Sequence, residues 1–194
     1  ISTVRIIAEA GDLDVEGRLG LTEVDADGTA CASNTSDLEE IQFEVSTSGA
    51  EMVIEARTPT SSSAHFDVRV TVPDSVLVEI EDGSGDIGVR DVAGVRINDG
   101  SGDVDVAGVS GDVVVSDDGS GDLDLRDVAG RVEIESDGSG DITVADVGSD
   151  VRIGSDGSGD IRVSGVGGDF EVGSGGSGDI SHSNVGGTVD IPNN

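Results

Sequence analysis

A chain of 194 residues with ten basic side chains, all of them Arg, against 41 acidic ones carries a formal net charge of −31. That charge repels phosphates, so it excludes nucleic-acid binding and attachment to anionic membrane surfaces. Trp and Tyr are absent and Phe occurs three times, which removes the aromatic platforms that stack bases or sugars.

What remains reads as strand throughout: Val and Ile number 43 against seven Leu, a balance that suits pleated surfaces. The sequence starts at Ile1, which fits a processed or trimmed N-terminus, and no apolar run is long enough for a membrane-spanning helix. Val4/Ile6, Leu13/Val15 and Leu19/Leu21 alternate, and Gly11-Asp12-Leu13-Asp14-Val15 echoes a motif repeated later. The polar stretch 25–40 reads as loop. Within it Cys31 stands alone, a small buried apolar residue or, alternatively, a site of intermolecular pairing. Strands are expected at 41–46, 51–57 and 65–72, the last starting at His65, with an exposed loop at 58–64 and a turn at Pro73-Asp74. No helical pattern of any length is present.

From residue 82 the chain repeats. Gly-Ser-Gly-Asp begins at Gly83, Gly100, Gly119, Gly138, Gly157 and Gly176, so one step is 17 residues and four are 19. Aligned on it, the units 82–98, 99–117, 118–136, 137–155, 156–174 and 175–193 share five apolar columns. The first begins Ile87, Val104, Leu123 and the second Val89, Val106, Leu125; the second breaks at His182, which is expected at an exposed edge. The third is Val in all six units, from Val92 to Val185. Val95 and Ile97 begin the fourth and fifth. The spacing I-x-V and V-x-I is strand periodicity. Two strands this short cannot bury five side chains alone, only against neighbouring copies. The fold class is therefore all-β, a parallel β-solenoid of either hand with 19-residue coils and two short strands per coil. Residues 1–81 are an irregular N-terminal β region continuous with it, and 82–194 are the six-coil part. Glycine corners that reach positive φ explain why 26 of the 31 glycines follow residue 81.

The run Phe66–Val72, Pro73 and Val76-Leu77-Val78, leading into Gly85-Asp86-Ile87 and its successors, resembles the DUF4097 adhesins, bacterial cell-surface β-strand-repeat proteins with a related head GIN adhesin family. The resemblance implies a parallel β-solenoid, an exported location and no established catalytic activity. It supplies no catalytic residues.

The one feature with a chemical case is the Asp-Gly-Ser-Gly-Asp corner. Stacked in register, Asp86, Asp103, Asp122, Asp141, Asp160 and Asp179 form one ladder, and Asp82, Asp99, Asp118, Asp137 and Asp156 a second on the same edge. Carboxylates about 5 Å apart repel by about 1 kcal/mol in water and about 3 kcal/mol at an effective dielectric of 20. Ca²⁺, which favours hard oxygen ligands, would offset that; otherwise each Asp caps backbone N–H groups of its own corner and the ladder is solvated, or counterions condense along it without specific sites. No motif requires a cofactor. The corner is close to the Ca²⁺-binding nonapeptide repeat but its aspartate arrives one residue early, and the glycines have neither Lys nor a following helix to cradle a phosphate. Near-interchangeable units with scattered Arg argue against a glycoside hydrolase or lyase, which breaks its repeat locally. Two Thr in the repeats are too few for an ice-binding array.

Both ends read as strand: Ile1–Ile7 at one, Val189-Asp190-Ile191 at the other, followed by Pro192 and two Asn. Apolar, strand-forming ends suggest head-to-tail stacking into filaments. The expected partners are other copies of the chain or cell-surface and matrix components, with no nucleic acid and no membrane insertion. The expected role is a non-catalytic exported structural or adhesive element, extracellular or on the cell surface.

Overall fold

The computed structural model describes residues 1–59 and 63–192. In the first part of the chain lie β1 (Thr3–Ala8), β2 (Leu13–Arg18), β3 (Asp25–Cys31), the short helix α1 (Thr35–Glu40), β4 (Gln42–Ser48), β5 (Glu51–Arg57), β6 (His65–Pro73) and β7 (Leu77–Asp82). Two strands per repeat unit follow: β8 (Ile87–Arg90) and β9 (Gly94–Asp99), β10 (Val104–Val109) and β11 (Val113–Asp118), β12 (Leu123–Val128) and β13 (Val132–Asp137). Then come β14 (Ile142–Val147) and β15 (Val151–Asp156), β16 (Ile161–Val166) and β17 (Phe170–Ser174), β18 (Ile180–Val185) and β19 (Val189–Asp190).

From β5 onward consecutive strands alternate between two sheets, ordered β19-β17-β15-β13-β11-β9-β7-β1-β5-β4 and β18-β16-β14-β12-β10-β8-β2-β6-β3. Among the described residues every pairing is parallel except β3 with β6 and β4 with β5. The all-β, parallel-sheet expectation therefore holds. Like stacks on like: Val113, Val132, Val151 and Phe170 are successive register partners in one sheet, and Leu123, Ile142, Ile161 and Ile180 in the other. The columns from Ile87 to Val172 are 0–4% exposed, because alternation turns every second side chain inward and the facing sheet covers it.

Before each third-column Val the chain kinks through left-handed φ. Asp91, Asp127, Asp146 and Asn184 have φ of 55–57°, and Gly108 and Gly165 take the same position at 70° and 69°. Glycine, or an Asx residue that bonds locally, occupies that region at least cost.

The N-terminal region departs from expectation in three places. β1 is not a terminal strand: β7 lies on one side, β5 on the other, and antiparallel β4 beyond that. After β2 the chain leaves the stack through β3, α1 and β4, returns to lay β5 and β6 outside β1 and β2, then crosses to the far side as β7. Second, 25–40 is not loop. Its strand β3 lies at a sheet edge with only Ala26, Ala30 and Cys31 half-buried, so no apolar alternation marks it, and Cys31 is only partly buried. Third, a helix is present. α1 buries nothing, so it has no apolar stripe; its N-cap is Asn34, whose side chain accepts the Asp37 N–H at 2.9 Å. The ring of Phe43 on β4 packs against Phe66 on β6 at 5.2 Å. Leu19 lies in the turn after β2, 91% exposed, and the expected loop at 58–64 includes 60–62, outside the described residues.

Candidate functional site

The Asp-Gly-Ser-Gly-Asp corner carries each chain segment from one sheet to the other. At Asp137–Asp141 it joins β13 to β14, with Gly138 N–H donating to Asp118 O at 2.8 Å in the coil before and Gly140 N–H to Ser158 O at 3.2 Å in the coil after. Corner thus stacks on corner through the main chain. The aspartates at its two ends meet different environments.

The second aspartate of each corner points outward and ties coils together. Asp103 N–H donates to Asp86 Oδ1 at 3.0 Å, Asp122 to Asp103 at 2.9 Å, Asp141 to Asp122 at 2.8 Å, Asp160 to Asp141 at 2.9 Å and Asp179 to Asp160 at 3.0 Å. The capping expected within one corner is in fact made to the next coil. Arg162 bridges two members, reaching Asp141 at 2.7 Å and Asp160 at 2.6 Å. The Asp160 N–H, and then Arg162, hold the Asp141 carboxyl below the usual carboxylate range.

The first aspartate of each corner points inward, which corrects the expectation that both ladders share one edge. Asp82, Asp99, Asp118, Asp137 and Asp156 are 8%, 2%, 0%, 3% and 3% exposed. In β7 and β9 plain alternation does this, two residues after Ile80 and Ile97. In the 19-residue units Asp118 comes three residues after Val115, a parity that would face it outward. A bulge between Val115 and Asp117 absorbs the extra residue, and the side chain is turned back into the core. The same inserted residue, with a second one at the opposite corner, accounts for the step from 17 to 19. Burial drives these carboxyls upward, Asp82 and Asp137 to about 7 and Asp118 and Asp156 to about 6, with Asp99 raised as well.

With this geometry in hand, the family described as "putative auto-transporter adhesin, head GIN domain" matches residues 21–186, which are 166 of the 194. The chain belongs to the head GIN adhesin family. It is the second of the two families that the repeat motifs resemble. No curated protein matches the sequence. Similar solved structures include two adhesion proteins. One is a putative adhesin from Bacteroides fragilis, 13% identical with a TM-score of 0.41; the other is a putative cell adhesion protein from Clostridium sporogenes, 12% identical with a TM-score of 0.37. Each match covers 98% of this chain and 92% of the other.

The outer row of this head GIN chain is longer than the repeat reveals. Asp12 accepts the Asp86 N–H at 3.3 Å, and Asp67 accepts the Asp12 N–H at 3.1 Å, which extends the row through β2 and β6. The sequence carries a signal for both: each is an Asp directly before an inward strand residue, Leu13 or Val68. A further outer row, outside the Gly-Ser-Gly-Asp motif, lies at the opposite corner. There Asp112 accepts the Arg131 N–H at 3.0 Å, Asp150 the Asp169 N–H at 2.9 Å and Asp169 the Thr188 N–H at 2.7 Å. His182 is exposed, its ring 6.0 Å from that of Phe170. Among the described residues, no three His, Cys, Asp or Glu side chains are grouped to hold a metal ion, and no helix is long and apolar enough to cross a membrane.

Proposed function

We propose that this head GIN domain is a non-catalytic, exported β-solenoid rod that serves as a structural or adhesive element of the cell surface. The family match over 166 residues carries the reading. The stacked corners support it: a main chain bonded coil to coil resists bending, and outer rows of identical groups present one chemistry along the rod's length. Antibody labelling of intact producing cells tests it. Labelling without permeabilisation is expected, together with weaker surface attachment when the domain is deleted; labelling only after lysis overturns the proposal.

Single rods are favoured over end-to-end filaments, because β3 and β4 close the N-terminal end with strands of opposite direction. Negative-stain images in which molecules join end to end would reverse that preference. A second reading assigns Ca²⁺ to the outer row, where among the described residues no Arg is ion-paired with Asp86, Asp103 or Asp179. In that row one oxygen of every carboxylate from Asp86 to Asp160 is already committed to a backbone N–H. This favours loose counterions along the row over closed Ca²⁺ sites. The melting temperature is therefore expected to rise equally with CaCl₂ and MgCl₂ at matched concentration; a rise specific to Ca²⁺ establishes the second reading.

A further inference from the structure

The inner column poses a problem that neither reading solves. Ten carboxylate oxygens of Asp82, Asp99, Asp118, Asp137 and Asp156 are buried with no hydrogen bond of ordinary length and angle; the backbone N–H groups of Gly83, Gly100, Ser101, Gly138 and Ser158 ease the charge without overcoming the burial. Strand register sets each carboxyl opposite the next: Asp82 with Asp99, Asp99 with Asp118, Asp118 with Asp137, Asp137 with Asp156. Neighbouring strands lie about 4.8 Å apart. The charged groups that act on the column from neighbouring positions are acids too, Asp12 on Asp82, Asp117 on Asp118 and Asp141 on Asp156. The Arg side chains in ion pairs are all on the outside, 37–68% exposed. Five like charges stacked at this spacing in a dry interior cannot all be ionised.

An Arg, a metal ion or a proton would neutralise them. No Arg points inward, and no three acids are grouped as a metal cage among the described residues. A proton also solves the second problem. Two facing carboxylates are both acceptors, whereas a neutral carboxyl is a donor, so each added proton turns one contact between rungs into a hydrogen bond. The column is bounded by apolar groups. Ala8 is the register partner of Asp82 on one side and is itself paired with Ala56, while Gly175 takes the equivalent place in the last unit, beside the Ile180 side chain.

We infer that Asp82, Asp99, Asp118, Asp137 and Asp156 share protons at neutral pH, neutral carboxyls donating to the carboxylates of adjacent coils, so that the column is a pH-sensitive joint running along the rod's interior. The upward displacement of all five carboxyls by burial agrees with the geometry. The formal charge of −31 accordingly overstates the charge of the folded protein.

Carboxyl ¹³C NMR of the Asp-labelled protein, followed from acid to mildly alkaline pH, tests this. A group of Asp signals is expected to titrate near pH 6–7, above the outer rows. In the variant combining Asp118→Ala and Asp137→Ala, two of these signals should vanish. That of Asp156 should titrate at lower pH, because Asp137 no longer repels it. If that variant does not fold, the wild-type titration alone decides. Titration of every Asp below about pH 5 overturns the inference. So does a change in the inner signals at pH 7 on adding CaCl₂ or EDTA, which would put a cation where the proton is placed.

Discussion

Replacing Gly121 by alanine should destabilise the protein by at least about 3 kcal/mol in urea denaturation. Gly121 has φ of 148°, and a Cβ there would overlap the carbonyl oxygen of Gly102 in the coil below. The obstacle is backbone, so no side-chain rotation relieves it. Nor is the backbone free to shift, since Gly121 N–H donates to Ser139 O at 3.0 Å and Leu123 N–H to Asp141 O at 2.9 Å in the next coil. Gly102 and Gly140 stand in the same relation to the coils below them, so the fault would propagate along the corner. Gly20→Ala is the control: it also has positive φ, 79°, but nothing lies within 4 Å of the new Cβ. It should cost about 1 kcal/mol. Equal losses from the two substitutions would show that corners do not stack backbone on backbone.

The second large effect is on pH. An aspartate raised to about 7 when folded but near 3.9 when unfolded keeps its proton in the native state over a range where the unfolded chain has lost it. Between about pH 4 and 7 the native state binds more protons, so stability falls as pH rises and levels off above the folded value. A shift of this size is worth on the order of 4 kcal/mol for one rung; the rungs are coupled, so the five do not add. Asp141 and Asp169 have the opposite sign. Backbone N–H donors lower both, and their contribution is lost as pH falls through the acid range. The protein should therefore be most stable in mild acid. Asp118→Ala should flatten the decline and melt above wild type at pH 8, since alanine already occupies the column at Ala8 and Ala56. A wild-type melting temperature that climbs between pH 5 and 7 would refute this account.

Much of the fold is legible in the sequence because its causes are local or repeated. The alternation Ile142-x-Val144, the glycine corner and the 19-residue step each leave a mark that needs no knowledge of distant residues, so the paired strands of the repeats lie where expected. The outer row at Asp86 to Asp179 is legible for the same reason. The inner column is legible at Asp82 and Asp99, by alternation from Ile80 and Ile97, and not beyond them. Counting residues from Val115 puts Asp118 outside, and only the bulge, which exists because β9 and β11 pair with one residue to spare, brings it in.

The amino-acid sequence by itself determined an acidic, all-β, parallel-stacked chain with aspartates at fixed places in every corner, because strand parity and repeat length are properties of neighbouring residues. The tertiary structure decided two things. It placed β1 and β2 inside the stack, through pairings such as Leu13 with Val68 and Val4 with Val78 that no local pattern encodes. It also divided the corner aspartates into a wet row that holds backbone N–H groups and a dry column that must hold protons, because a single extra residue in a strand reverses which side of a sheet a side chain faces.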